Sequence, residues 1–231
     1  MSEIPHSVMV FAAGFGTRMG SLTADRPKPL IEVEGRPLLG RVLDLVNDAG
    51  LRALVNAHYK AEQIASFLEG LEAELILEPT RALETGGGLK NALPVLGPGP
   101  TFTLNPDGIW QGPNPLSVLR QHWDPTRMEA LLLLAPIQQT VGYTGPGNFT
   151  RDPDGCLRRS PEGSVYTGAQ ILKTTRVSEH DQDVFSLNAI WDQMIADRTL
   201  FGIEYSGRWA DVGTPEGIIS AEQMLRGEPD V

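Results

Sequence analysis

Hydrophobic positions along the first 135 residues switch between two periods. Residues 7–13 are almost wholly apolar and stop at glycine, the pattern of a buried strand. Across 37–49, Leu38, Leu39, Val42, Leu45 and Val46 recur on one helical face, and Gly50 supplies the stop. Residues 52–57 predict a second strand, about 60–68 a helix, and 74–77 a third strand. A helix follows over 86–96 despite its glycine-rich start, then a strand over 101–104, a helix over 116–123 and a buried strand over 129–135. This alternation predicts an α/β fold with a Rossmann-like, mostly parallel sheet and helices on both faces. Ligands of such sheets collect at the carboxyl ends of the strands, so the loops at 14–29, 79–88 and 105–110 are expected along one edge.

Beyond residue 135 the pattern is less regular. Turn-rich stretches lie at 142–147 and 152–155, with Asp154-Gly155 as a hairpin tip. Strands are expected over 166–172 and 200–205, a helix over 186–196, and a short apolar segment around one acid at 209–212. Thr214-Pro215-Glu216 opens a last helix, with threonine as N-cap and proline in the first turn. No internal repeat or low-complexity linker divides the chain, which reads as a single domain over 1–231, in two parts at 1–135 and 136–231.

The net charge of -10 argues against nucleic acid or an anionic membrane as partner, since both call for a basic face. A small anionic ligand needs only a few local cations and backbone amides. Lys28, inside the first glycine-rich region, is one of only four lysines. Cys156 is the single cysteine, which leaves no disulfide framework or thiolate metal cluster. The longest apolar run, 130–137, is too short for a membrane span. Ala12-Ala13-Gly14 has the look of a signal cleavage site, but no basic residue precedes it and the apolar stretch is short, so a cytoplasmic location is expected.

The first strand runs into Gly14-x-Gly16-Thr17-Arg18-Met19, followed after seven residues by Pro27-Lys28-Pro29-Leu30. A dinucleotide fingerprint would require glycine at position 19 and an acid after the second strand, where Asn56-Ala57-His58 stands. A Walker loop would require a closing Gly-Lys-Ser/Thr, which is absent. One loop delivers two cations together with exposable N–H groups, and the prolines fix how Lys28 is presented. That arrangement suits a triphosphate whose charge must be held while one bond breaks.

The signature G-x-G-T-R…P-K-P-L resembles that of the sugar-1-phosphate nucleotidyltransferases. Three further motifs extend the resemblance in order: Leu83-Glu84-Thr85-Gly86-Gly87-Gly88, Leu104-Asn105-Pro106-Asp107, and Trp209-Ala210-Asp211-Val212-Gly213-Thr214. The resemblance implies the nucleotide-diphospho-sugar transferase fold with a small sugar-binding β subregion. It also implies transfer of a nucleoside monophosphate from an NTP to a sugar 1-phosphate, with pyrophosphate leaving. Among the branches of the family, the uridylyltransferases acting on N-acetylmuramate 1-phosphate lie nearest and the guanylyltransferases for mannose or heptose 1-phosphate next. Carried over, Arg18 and Lys28 are catalytic cations. Ala12, Ala13, Gly14, Gly16, Thr17, Glu84, Gly86, Gly87, Gly88 and Asn105 face the nucleotide, the three glycines through close approach and free N–H donors. Asp107 and Asp211 bind Mg2+, while Asn148, Thr167, Gly168 and Gln170 face the sugar.

A phosphate monoester has its second pKa near 6, so the nucleophile is already mostly ionised and needs no general base. His6, His58, His122 and His180 therefore need no catalytic role. Two departures from the family stand out: Pro106 replaces the usual glycine before Asp107, and no Glu-Lys-Pro motif surrounds Lys173. A nucleotide-binding regulator without turnover finds its best support in Pro106, but Arg18, Lys28, Asp107 and Asp211 together argue against it; a pyridine-nucleotide dehydrogenase is disfavoured by Met19 and the missing ribose-binding acid. The large insertions and repeat helices of oligomeric relatives are missing, which points to a monomer or weak homo-oligomer.

Overall fold

The computed structural model describes residues 4–227; both ends of the expected 1–231 domain lie outside that range. The first half contains β1 (Ser7–Phe11), the two-residue strands β2 (Glu32–Val33) and β3 (Arg36–Pro37), α1 (Leu38–Asp48) and β4 (Arg52–Ala57). It continues with α2 (Ala61–Leu68), β5 (Ala73–Leu77), α3 (Glu84–Leu96), β6 (Pro100–Leu104), β7 (Gly108–Gln111), α4 (Pro115–His122) and β8 (Ala130–Ala135). The second half holds β9 (Thr140–Val141), β10 (Phe149–Arg151), β11 (Leu157–Arg159), β12 (Val165–Lys173) and α5 (Thr175–Glu179). It ends with α6 (Asn188–Ala196), β13 (Leu200–Glu204), β14 (Arg208–Asp211) and α7 (Pro215–Arg226).

Seven strands form the central sheet in the order β13-β8-β12-β6-β1-β4-β5. β12 alone runs against its neighbours, pairing antiparallel with both β6 and β8. The sheet is therefore mostly parallel, as expected. Its strands bury both faces: Val8 and Val10 join one core and Met9 the other, and all six residues of β8 are buried. Helices α1, α2 and α4 cover the first face, and α3, α5 and α6 the second. Because β12 inserts between β6 and β8, the two parts of the chain share one sheet. Its register shifts between Tyr166 and Gln170, where Gly168 adopts φ +87°.

A smaller sheet, β7-β14-β9, lies beside the large one and packs against α7. Its core includes Ile109, Val141, Ala210, Ala221 and Met224, together with Met19 from the first glycine-rich loop and Ile31 and Val33 just after it. Met19, the residue that breaks the dinucleotide fingerprint, thus anchors that loop in a hydrophobic core. The loop predicted over 14–29 forms 3-10 turns on either side of a kink at Gly20 within Thr17–Thr23, and runs into a further one at Lys28–Leu30 set by Pro27 and Pro29. Thr214 caps the last helix as expected: its hydroxyl accepts from the Gly217 N–H at 3.3 Å. Strands β2, β3, β7 and β9 and helix α5 were not expected, because two to five residues are too few to show a period. No helix among the described residues is long and apolar enough to cross a membrane.

The start of α3 docks onto the segment before α6. Gly86 and Gly87 donate their N–H groups to the Phe185 carbonyl at 2.8 and 3.0 Å, and Leu187 N–H donates to Thr85 Oγ1 at 3.0 Å. A Cβ on Gly87 would lie 2.1 Å from the Asp183 carbonyl oxygen, so only glycine permits this approach. Gly87→Ala is expected to lower stability by about 1–3 kcal/mol, seen as a Tm drop of roughly 2–4 °C per kcal/mol in a chain of this size. Gly14→Ala, whose Cβ would meet nothing within 4 Å, serves as the control with little change.

Candidate active site

The carboxyl ends of β1, β4 and β5 are tied together by a buried polar chain. Ala12 N–H donates to Asn56 Oδ1 at 2.7 Å, and Asn56 Nδ2 donates to Glu78 Oε1 at 2.6 Å. Glu78 Oε2 then accepts from Leu83 N–H at 2.8 Å, just before α3. With Glu78 only 2% exposed, each of these groups would be costly to leave unpaired. The network fixes the first and second glycine-rich loops relative to each other.

From Ala12 the chain turns outward. Gly16 sits at φ +64°, and a Cβ there would come within 2.7 Å of Lys28 Cβ, so glycine is required on both counts. Among the described residues no acceptor is found for the N–H groups of Gly14, Gly16, Thr17 and Arg18. Free amides opening a helical turn make an anion-binding concavity. They border a cleft of about 320 Å³ whose wall includes Ala12, Ala13, Gly14, Gly16, Thr17, Arg18, Lys28, Glu84, Asn105 and Asp107. The three loops expected along one edge do meet there.

Asp107 lies in the turn Asn105-Pro106-Asp107-Gly108, where proline occupies the second position. That position wants φ near -65°, so the departure from glycine is accommodated by turn chemistry. Lys28 Nζ donates to Asp107 Oδ2 at 2.6 Å, in a pair whose side chains are only 12% and 25% exposed. Strands β7 and β14 pair antiparallel with Gly108 opposite Asp211, and Val212 N–H donates to the Asp107 carbonyl at 2.8 Å. Two acids about a hundred residues apart are thereby placed side by side. A Cβ on Gly213 would lie 2.7 Å from Asp211 Oδ2 and 3.1 Å from Arg18 Nη1, so Arg18 converges on the same point. Burial, and then the neighbouring Asp107 carboxylate, push the Asp211 pKa up to about 6 against the pull of Lys28 and Arg18.

This donor set fits Mg2+. Two carboxylates offer hard oxygen ligands, and a cation between them would reverse the repulsion that raises Asp211. Among the described residues no third His, Cys, Asp or Glu joins them. Phosphate oxygens and water would have to complete the shell, which is the usual manner of Mg2+ binding.

A second cavity of about 290 Å³ opens next to the first and shares Phe11, Thr85 and Asn105 with it. Asn148 and Gln170 lie in its wall. Asn148 Oδ1 accepts from Tyr166 N–H at 2.8 Å, and Gln170 links Thr103 Oγ1 to Trp191 Nε1, both at 3.0 Å. Trp191 meets the Tyr166 ring edge-on at 5.0 Å, giving the cavity an aromatic side. Burial raises the Tyr166 phenol well above its usual range, which keeps it neutral.

Several expected residues are placed elsewhere. Gly86, Gly87 and Gly88 are buried behind the cleft wall. The N–H groups of Gly86 and Gly87, expected to be free, are consumed by Phe185, and Gly88 leaves room for the Asn56–Glu78 pair. Thr167 is buried with its hydroxyl donating to the Leu133 carbonyl at 2.7 Å. Gly168 supports Asn105, whose N–H donates to its carbonyl at 3.0 Å. Neither lines the second cavity. Lys173 Nζ donates to the Pro125 carbonyl, consistent with its missing motif. Sequence reasoning overlooked Asn56 and Glu78, although a polar residue inside the apolar strand 52–57 and an acid directly after β5 were the available signals.

Residues 8–140 match the family model of the MobA-like NTP transferase domain. The chain is 37% identical to N-acetylmuramate alpha-1-phosphate uridylyltransferase of Caulobacter vibrioides, over 97% of this chain and 99% of that protein. It is 28% identical to the mannose-1-phosphate guanylyltransferase catalytic subunit beta of Drosophila pseudoobscura, over 92% of this chain and 60% of that protein. Its fold is shared with HddC from Yersinia pseudotuberculosis, solved in complex with GMP-PN, at a TM-score of 0.74 and 20% identity over 95% of this chain and 99% of that one. The cleft geometry and the full-length similarity converge: the chain belongs to the sugar-1-phosphate nucleotidyltransferases, within the family of MobA-like NTP transferase domains.

Proposed function

We propose that the protein transfers the uridylyl group of UTP to N-acetylmuramate 1-phosphate, releasing pyrophosphate. One observation carries the reading beyond similarity: the two cavities share a wall at Phe11, Thr85 and Asn105, so a triphosphate in one meets a sugar phosphate in the other beside Asp107. A phosphate oxygen of the sugar attacks the α-phosphorus. The bond from that phosphorus to the α–β bridging oxygen breaks, and pyrophosphate leaves with its electron pair.

In this reading the free amides from Gly14 to Arg18 hold the β- and γ-phosphates, and Arg18 stabilises the departing charge. Lys28, held by Asp107, faces the α-phosphate. Ala12, Ala13, Thr17 and Glu84 border the nucleotide; Asn148 faces the sugar, while Gln170, fully buried with its amide taken by Thr103 and Trp191, holds the wall behind it. Asp107 and Asp211 would hold Mg2+, which when bound offsets the repulsion between the two polyanions. With this substrate the reaction serves cell-wall recycling in the cytoplasm. A second reading, GTP with mannose or heptose 1-phosphate, draws on the 28% identity to a guanylyltransferase.

Pyrophosphate release measured with Mg2+, crossing UTP, GTP, CTP, dTTP and ATP with N-acetylmuramate, N-acetylglucosamine, glucose and mannose 1-phosphates, is expected to peak for UTP with N-acetylmuramate 1-phosphate. A peak for GTP with mannose 1-phosphate would move the assignment to the second reading. NTP binding without turnover across the panel would instead favour a regulator. Asp107→Asn and Asp211→Asn are each expected to lower kcat by about 100-fold or more. EDTA should abolish turnover and added Mg2+ restore it; undiminished activity in EDTA would rule out the metal role.

A further inference from the structure

The second cavity has one charged residue in its wall, Arg159. The rest of that lining is aromatic, aliphatic, amide or hydroxyl. In a chain of net charge -10, a guanidinium at a ligand cavity works against the overall field, and it favours an anion at that spot. We infer that Arg159 reads a carboxylate on the sugar, making it the residue that selects an anionic hexose 1-phosphate over its neutral counterpart. The inference rests on the uridylyltransferase reading above.

The geometry around Arg159 supports a reading role. Its guanidinium lies 4.9 Å from the Phe149 ring centroid and 5.7 Å from that of Trp191, two cation–π contacts that hold it against the aromatic side of the cavity. Nε and Nη2 both donate to Asp192 Oδ1, at 3.0 and 2.8 Å. That pairing occupies one edge of the fork and sets its direction. On the Nη1–Nη2 edge the contact found among the described residues is a long one of 3.5 Å, from Nη2 to the Asn188 carbonyl. A planar carboxylate matches such an edge with two parallel hydrogen bonds.

Asp192 does not cancel the charge. The pair is 40% and 63% exposed, so water screens it and little stabilisation is lost if a ligand shares the guanidinium. The chemistry then distinguishes two close substrates. N-acetylmuramate differs from N-acetylglucosamine by a lactyl ether that carries one carboxylate, and the cavity presents one guanidinium to meet it. Amides such as Asn148 can serve hydroxyls on either sugar, so they give no such discrimination.

The test compares kcat/KM with UTP for N-acetylmuramate 1-phosphate, its carboxyl methyl ester and N-acetylglucosamine 1-phosphate, in the unaltered protein, Arg159→Gln and Arg159→Lys. Thermal melts check that both variants fold. The ratio of muramate to glucosamine activity is expected to fall roughly 10- to 100-fold in Arg159→Gln. Arg159→Lys should fall between, keeping the charge but not the fork. The ester should lose a similar factor in the unaltered protein and lose little more in Arg159→Gln. A ratio unchanged by Arg159→Gln, whether both rates drop together or neither does, would overturn the assignment. If the unaltered protein turns over glucosamine but not muramate 1-phosphate, the substrate reading itself fails, and this inference fails with it before any variant is made.

Discussion

Two carboxylates are held close together at the cleft where the loops gather along one edge of the sheet. Burial strips Asp211 of the water that would solvate its charge, and the neighbouring Asp107 carboxylate repels it; together they push its pKa up. Much of the surrounding structure answers that problem. Lys28 reaches Asp107 from one loop, and Arg18 converges on Asp211 from the same loop. The backbone bond from Val212 to Asp107 and the β7–β14 pairing keep the acids from drifting apart. In the proposed reading, the same four side chains would meet a polyanion and a divalent cation entering together, with little net repulsion.

Holding such a group in place requires stiff supports, and three are visible. Met19, Ile31 and Val33 root the first loop in the core beneath α7. The Ala12–Asn56–Glu78–Leu83 chain joins that loop to the second one. The glycines at the start of α3 let it settle onto the Phe185 carbonyl, placing Thr85 and Glu84 at the cleft while the glycines themselves remain behind it. The triple glycine thus lies one layer back from the cleft. Its small size serves packing between loops, which a motif resemblance cannot separate from direct contact.

Much of this was legible in the chain. Apolar runs, helical faces, the Asp154-Gly155 turn between β10 and β11 and the Thr214 cap are local signals that act over a few residues, and the corresponding elements formed within a residue or two at most ends. The alternation of strand and helix also implied the parallel sheet and therefore the edge where the loops gather. Arg18, Lys28, Asp107 and Asp211 could be nominated because their motifs are compact. Asn56 and Glu78 each left only a single-residue signal; that they pair shows only once their two strands lie side by side.

What tertiary structure alone decided is pairing at a distance. Nothing local could tell that β12 would insert antiparallel between β6 and β8, or that β7 and β14 would leave the main sheet to bring Asp107 beside Asp211. Nor could it show that Thr167 would turn into the core while Gln170, three residues on, would hold the aromatic wall of the second cavity. Periodicity and turn chemistry set each element because their energies depend on near neighbours. Which elements meet depends on which buried surfaces and backbone edges complement one another across the whole chain, and that is settled only when all of them pack at once.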